Sequence, residues 1–141
     1  GEKMKIKLLN DKAIIPTRAT NGSVGYDLYS TIGFTLFPEQ SILIPIGIAM
    51  EIPRGLAGII SHRSGQHLRK MVSAYGVIDN DYVGEIMVCL INHSYGNQFV
   101  VKEGDRIAQI VFHQVTYPDM EVVENLGDTT RGEGGFGSTG V

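Results

Sequence analysis

In this chain of 141 residues, the side chains suited to chemistry gather in three stretches. HRSGQHLRK, residues 62–70, holds Arg63, Arg69 and Lys70 together with two histidines. Such a local cluster can meet a phosphate, and by charge alone it serves equally well as a solvated basic loop. GVIDNDYVGEI, residues 76–86, reads as a tight hairpin: the apolar pair Val77 and Ile78, then Asp79, Asn80 and Asp81, then Tyr82 and Gly84 leading into the next strand. Spacing alone makes it a turn whose Asp and Asn side chains bond their own backbone. RGEGGFGSTG, residues 131–140, lies in a C-terminal stretch from Gly127 to Val141 that has six glycines and almost no aliphatic side chains. That composition cannot bury enough apolar area to offset the entropy of ordering, so the stretch is expected to be mobile until something binds. One ring, Phe136, stands alone in it, near Arg131, Ser138 and Thr139.

The segments that must position these residues read as strands. KIKLL at 5–9, YDLYS at 26–30, FTLF at 34–37, SILIPIGIAMEI at 41–52, GLAGII at 55–60, EIMVCLIN at 85–92 and RIAQIVFHQV at 106–115 are short and rich in Ile, Val, Phe and Tyr, as half-buried pleated surfaces require. Turn formers such as NGS, FPEQ, IPRG, DNDYVG and KEGD separate them, and the regular spacing predicts an all-β sandwich or barrel. No segment keeps a helical period for more than one or two turns; QHLRKMVSA, 66–74, comes nearest. Pro45 and Pro53 are expected at a sheet edge, a strand end or a bulge, because proline donates nothing to a ladder.

Composition narrows the function classes. Charged residues make up only 19%, too few for a disordered chain, and the length suits one domain: a folded body over 1–126 and an arm over 127–141. A formal charge of −3 argues against a broad footprint on duplex nucleic acid. No apolar run approaches the roughly 20 residues of a membrane span, and GEKMKIKLL lacks a small-residue cleavage site. Cys89 is the one cysteine and has no internal disulfide partner, so an intracellular location is the simplest expectation. His62 and His67 have no Cys or His at metal spacing and read as exposed polar residues rather than ligands.

Together the hairpin and the glycine-rich tail resemble the third and fifth motifs of the dUTPase family. VGYDLYS at 24–30, RSG at 63–65 and GDRIAQ at 104–109 resemble the first, second and fourth, in family order. The resemblance implies hydrolysis of dUTP to dUMP and pyrophosphate. It assigns Asp79 to orient and deprotonate the water that attacks the α-phosphorus, a task suited to a carboxylate within hydrogen-bond reach. By the same resemblance Tyr82 lies against the deoxyribose, where a ribose 2′-hydroxyl would collide with the ring, and the backbone of Gly76, Val77 and Ile78 reads the uracil edge. Arg63, Ser64 and the Gly65 backbone hold phosphates and assist departure of pyrophosphate, the guanidinium fork fitting phosphate oxygens. Gln109 donates to the phosphates or to metal-bound water, and Asp27 sits near metal and phosphates through water. Arg131 contacts the γ-phosphate, Phe136 stacks over the uracil, and Gly137 and Ser138 bring donors to the terminal phosphate, as converging backbone amides do in phosphate cradles.

The resemblance further implies a distorted jelly-roll β-barrel, the dUTPase-like β-clip, assembled as a homotrimer. Each active site then takes its hairpin from one chain, its phosphate-binding residues from a second and its arm from the third. Independently, SILIPIGIAMEI is apolar on both faces, which suits cover by a neighbouring subunit. Mg2+ is the expected cofactor, chelated by the triphosphate with few or no direct protein ligands. One departure stands out: the family usually has alanine and proline before the arginine and continues RSGLA, whereas this chain reads SHRSGQHL, with His62 before Arg63 and Gln66 after Gly65. The enzyme alternative is a dCTP deaminase, which shares the fold and trimer but resembles the hairpin and tail less well. A nucleotide-responsive regulatory protein on the same scaffold would show a broken Asp79, Tyr82 or tail, and all three are intact.

Overall fold

The computed structural model describes residues 3–137, the side chains of His67 and Leu68 excepted. In chain order the elements are β1 (Lys5–Leu8), β2 (Gly25–Tyr29), β3 (Phe34–Leu36), β4 (Ser41–Pro45), β5 (Ile48–Glu51), β6 (Leu56–Ser61), α1 (Ser64–Lys70), β7 (Val72–Ile78), β8 (Met87–Asn92), β9 (Phe99–Val101) and β10 (Arg106–Gln114). Six strands form the main sheet in the order β2-β10-β6-β7-β8-β4, and β1-β5 and β3-β9 form two-stranded sheets. Every pairing is antiparallel. The all-β expectation holds.

Alternation explains how the core is enclosed. In β8 the side chains of Val88, Leu90 and Asn92 are buried while Met87, Cys89 and Ile91 are half-covered, the period of two that a one-sided sheet requires. Leu28, Ile44, Ile60, Ala74, Ala108 and Ile110 join Val88 and Leu90 in one apolar cluster. Pro45 closes β4 at the edge of the main sheet, as expected of a residue without an N–H donor.

The structure departs from the sequence reading at four places. SILIPIGIAMEI is two strands in two sheets, broken at Gly47, whose φ of 75° suits glycine best. A Cβ there would come within 2.8 Å of Asn10 Nδ2 and 3.1 Å of Ala13 Cβ. The run is apolar on both faces because it changes sheets: β5 buries Ile48, Ala49 and Met50, whereas β4 leaves Leu43 exposed. Strand β7 was hidden by Ser73, Ala74 and Gly76, poor strand formers that tertiary pairing overrides, and β9 is too short to show alternation. The helix begins at Ser64, two residues before the expected segment, and stops at Lys70 because Met71 takes a left-handed φ of 57°, the usual helix-ending conformation.

Asn92 ties three connections together. Its Nδ2 donates to the carbonyls of Leu36 at 3.0 Å and Asn97 at 2.9 Å, and its Oδ1 accepts from Ser94 N at 3.0 Å. The side chain is buried, so these groups have no water to replace it. Asn92→Leu, similar in size, is expected to cost roughly 3 kcal/mol, because each buried polar group left unpaired is expensive. Urea unfolding measures it, and an unchanged midpoint would show that the three connections hold without the amide.

Candidate active site

One register row crosses the whole main sheet. Asp27 on β2 faces Gln109 on β10, which faces Ser61 on β6, Tyr75 on β7, Cys89 on β8 and Leu43 on β4. Directly paired residues project on the same side, so these six side chains share the outer face. The row is polar and ion-paired at the Asp27 end and apolar at the Leu43 end. A cavity opens at each end.

The first cavity, about 680 Å³, is bordered by Arg63, Ser64, Gly65, Arg69, Lys70 and Arg106 among others. Asp27 Oδ1 accepts from Arg63 Nε at 3.1 Å, and Oδ2 lies 3.8 Å from Arg106 Nε. The carboxylate is largely covered while both guanidiniums keep solvent access, so it aims the forks without neutralising the wall. Gln109 Nε2 donates to His62 O at 3.2 Å and to Ser61 Oγ at 3.4 Å. Its Oε1 lies over Gly25, where a Cβ would stand only 2.0 Å away; any larger residue at 25 would expel the amide. Asp27, expected near a metal through water, is thus engaged with two arginines.

The second cavity, about 450 Å³, is bordered by Leu43, Tyr75, Gly76, Val77, Ile78, Asp79, Tyr82, Met87 and Cys89. Its shape follows from unequal ladders: β7 pairs with β8 only as far as Tyr75–Cys89 but with β6 as far as Ile78–Gly58. One backbone edge of Gly76–Ile78 therefore faces the cavity instead of a strand, offering amide and carbonyl groups to a planar ligand edge. Gly76 itself is needed on the other side, where a Cβ would come within 2.9 Å of Ile60 Cδ1.

Tyr82 N donates to Asp79 O at 3.1 Å and closes the turn. The expectation that the turn's Asp and Asn side chains bond its own backbone does not hold. The Asp79 carboxylate is exposed and accepts no hydrogen bond among the described residues, while Asn80 Nδ2 reaches out to Tyr117 Oη at 2.6 Å. The Tyr82 hydroxyl donates to Glu85 O, and its ring crosses Gly84, where a Cβ would lie 2.9 Å from the oxygen. The ring is held across the hairpin, and Tyr82 and Asp79 border the same cavity.

A single chain leaves these groups apart. Ile78 pairs with Gly58, and from Gly58 to Arg63 an extended chain advances about 16 Å at about 3.3 Å per residue. Arg63, Ser64, Gly65, Gln109 and Asp27 meet at one cavity; Gly76, Val77, Ile78, Asp79 and Tyr82 meet at the other. Arg131, Phe136 and Gly137 border neither. Arg131 Nη2 donates to Gly135 O at 2.8 Å, and Phe136 is wholly exposed. Ser138 lies outside the described residues.

Sequence reading missed Arg106, Tyr117 and Arg54. Arg106 stands three residues before Gln109, which in a regular strand would put it on the opposite face; a register shift between Arg106 and Ala108 brings its Nε back to Asp27, as bulges do. Tyr117 is gripped by Asn80 and by the Arg54 guanidinium, 4.4 Å from the ring centre. No local pattern joins those three positions.

The sequence model of the dUTPase family matches residues 11–140. The chain is 48% identical over 139 residues to the deoxyuridine 5′-triphosphate nucleotidohydrolase of Swinepox virus (strain Kasza), covering 98% of this chain and 97% of that one. It is 40% identical to the enzyme of that name from Mus musculus, over 99% of this chain and 86% of that one. The solved structure of a glycine-to-serine mutant of Staphylococcus bacteriophage 80alpha dUTPase with dUpNHpp matches the whole of both chains with a TM-score of 0.94 at 26% identity. These relatives are dUTPases rather than deaminases, and their fold is the jelly-roll barrel expected here. With the five motifs in order over nearly its full length, the chain belongs to the dUTPase family and hydrolyses dUTP to dUMP and pyrophosphate.

Proposed function

We propose that hydrolysis takes place where the hairpin cavity of one copy meets the arginine-lined cavity of another, beneath the arm of a third. The observation that carries this reading is the separation, along β6 and β7, of Asp79 from Arg63. Uncovered apolar side chains support it. Met120, Val122 and Leu126 are exposed along the chain that leaves β10. Apolar groups so arranged favour burial against further copies.

In the assembled site the uracil edge lies along the open backbone of Gly76–Ile78, and the Tyr82 ring packs on the deoxyribose and excludes a 2′-hydroxyl. Asp79 accepts a proton from a water. That water's oxygen forms a bond to the α-phosphorus as the bond from α-phosphorus to the bridging oxygen breaks, and the electron pair leaves with pyrophosphate. Arg63, the Ser64 hydroxyl, the Gly65 amide, Gln109 and Arg131 stabilise the charge that gathers on the leaving group. Residues 127–141 form the closing arm, bringing Phe136 over the base and Gly137 and Ser138 to the terminal phosphate, and excluding water other than the nucleophile.

Mg2+ enters as part of the substrate, on the triphosphate. Among the described residues no group of three or more His, Cys, Asp or Glu side chains could hold a metal, and Asp27 is engaged with Arg63 and Arg106. Mg2+ suits this arrangement because it keeps phosphate oxygens and water as ligands; when bound it neutralises phosphate charge. Asp27 meets the complex through water, and its ion pairs hold Arg63 toward the phosphates.

Asp79→Asn is expected to keep affinity for dUpNHpp within a few-fold and to lower kcat about 100- to 10,000-fold, the range for loss of a general base. Steady-state pyrophosphate release checks it, and near-normal turnover would remove Asp79 from the role. Truncation after Leu126 is expected to leave the assembly intact by sedimentation while turnover falls at least about 100-fold, the scale set by lost charge stabilisation; a truncated enzyme as active as the full chain would show the arm to be dispensable.

A further inference from the structure

Gln66 borders the arginine-lined cavity from α1. It is 7% exposed, and neither its Nε2 nor its Oε1 has a hydrogen-bond partner among the described residues. Asn92, equally enclosed, has donors and acceptor all engaged. Buried amides are nearly always satisfied, and one left unpaired at both ends is costly. An apolar side chain of the same size would relieve that cost, so the amide's presence asks for a ligand that supplies both a hydrogen-bond acceptor and a donor.

The cavity indicates the ligand's charge. Arg63, Arg69, Lys70 and Arg106 line it, against the carboxylates of Asp27 and Asp105, and Asp105 already accepts from Lys102 N at 2.8 Å. Cations in excess call for a polyanion. A bare phosphate chain offers acceptors to Nε2 but nothing to Oε1. A phosphate chain carrying a hydrated divalent metal offers both, since water on a metal is a strong donor.

We infer that Gln66 is a binding residue for the metal-complexed phosphate chain: its amide, covered in the ligand-free chain, turns into the cavity on binding, where Nε2 donates to a phosphate oxygen and Oε1 accepts from a metal-bound water. This rests on the assignment of that cavity to the phosphates. Gln66 thereby makes the site's affinity depend on the metal through the chain's own side chain, although no carboxylate cage is present among the described residues.

The test is calorimetric titration of pyrophosphate, with Mg2+ and with EDTA, into the full-length wild-type protein, Gln66→Leu, Gln66→Met and Arg63→Ala, with thermal midpoints of each free protein. Weakening of magnesium pyrophosphate binding by about tenfold or more is expected for both Gln66 variants, the scale of a hydrogen bond to a charged group. The loss should shrink in EDTA, and the ligand-free midpoint should stay level or rise. Unchanged binding in both Gln66 variants while Arg63→Ala binds poorly would overturn the role of Gln66 and leave the cavity assignment standing. Unchanged binding in all three variants would overturn the cavity assignment as well. Equal losses with and without Mg2+ would overturn the contact to metal-bound water. A lowered free midpoint with unchanged binding would mean that the amide is satisfied within the assembly, and would likewise overturn the proposal.

Discussion

The ladder between β6 and β7 sets the terms for everything else in this molecule. By pairing Ile78 with Gly58 and Tyr75 with Ser61, it puts the acidic turn beyond one end of β6 and Arg63 beyond the other. An extended backbone cannot be shortened, and sheet register resists slippage because a shift of one residue would turn the buried set of β7 outward. The carboxylate and the guanidinium of one chain are thereby kept apart by rigid structure. Chemistry that needs both therefore needs another copy, which is the basis of the proposed shared site.

The same sheet divides the labour along its outer face. At one end Asp27 collects Arg63 and Arg106, and Gly25 leaves space for Gln109, giving a preorganised positive wall whose parts are bonded before any ligand arrives. At the other end, Tyr75, Cys89 and Leu43 offer apolar surface beside the open edge of Gly76–Ile78. A nucleoside triphosphate has the matching polarity, with a flat base and sugar at one end and charge at the other. The grip of Asn80 and Arg54 on Tyr117 fixes where the chain departs from the barrel, close to the turn that carries Asp79, so the arm's starting direction and the carboxylate's position share one support.

Much of this was legible in the sequence, and the rest failed for identifiable reasons. Strand-rich patterning gave the all-β class, and five segments in order gave the family. SILIPIGIAMEI concealed a change of sheet, since a left-handed glycine inside an apolar run looks like continuity. The second contact of Asp27, with Arg106, depends on a bulge, which no alternation rule anticipates. The acidic turn read as self-bonded because Asp and Asn usually do that; here Asn80 reaches to Tyr117, 37 positions along the chain. Gln66 was visible only as a departure from RSGLA, and its burial without partners is a property of packing that spacing cannot convey.

The central claim, that each active site is built from more than one copy, is tested most directly by mixing two defective chains. Asp79→Asn and Arg63→Ala proteins, each nearly inactive alone, are denatured together and refolded, and pyrophosphate release from dUTP is followed. If hairpin and arginine wall come from different copies, random assortment restores about one quarter of the sites, those with an intact turn from one variant facing an intact Arg63 from the other. A mixture no more active than its separate components, with assembly confirmed by sedimentation, would mean that one chain supplies both groups, contrary to the register that separates them.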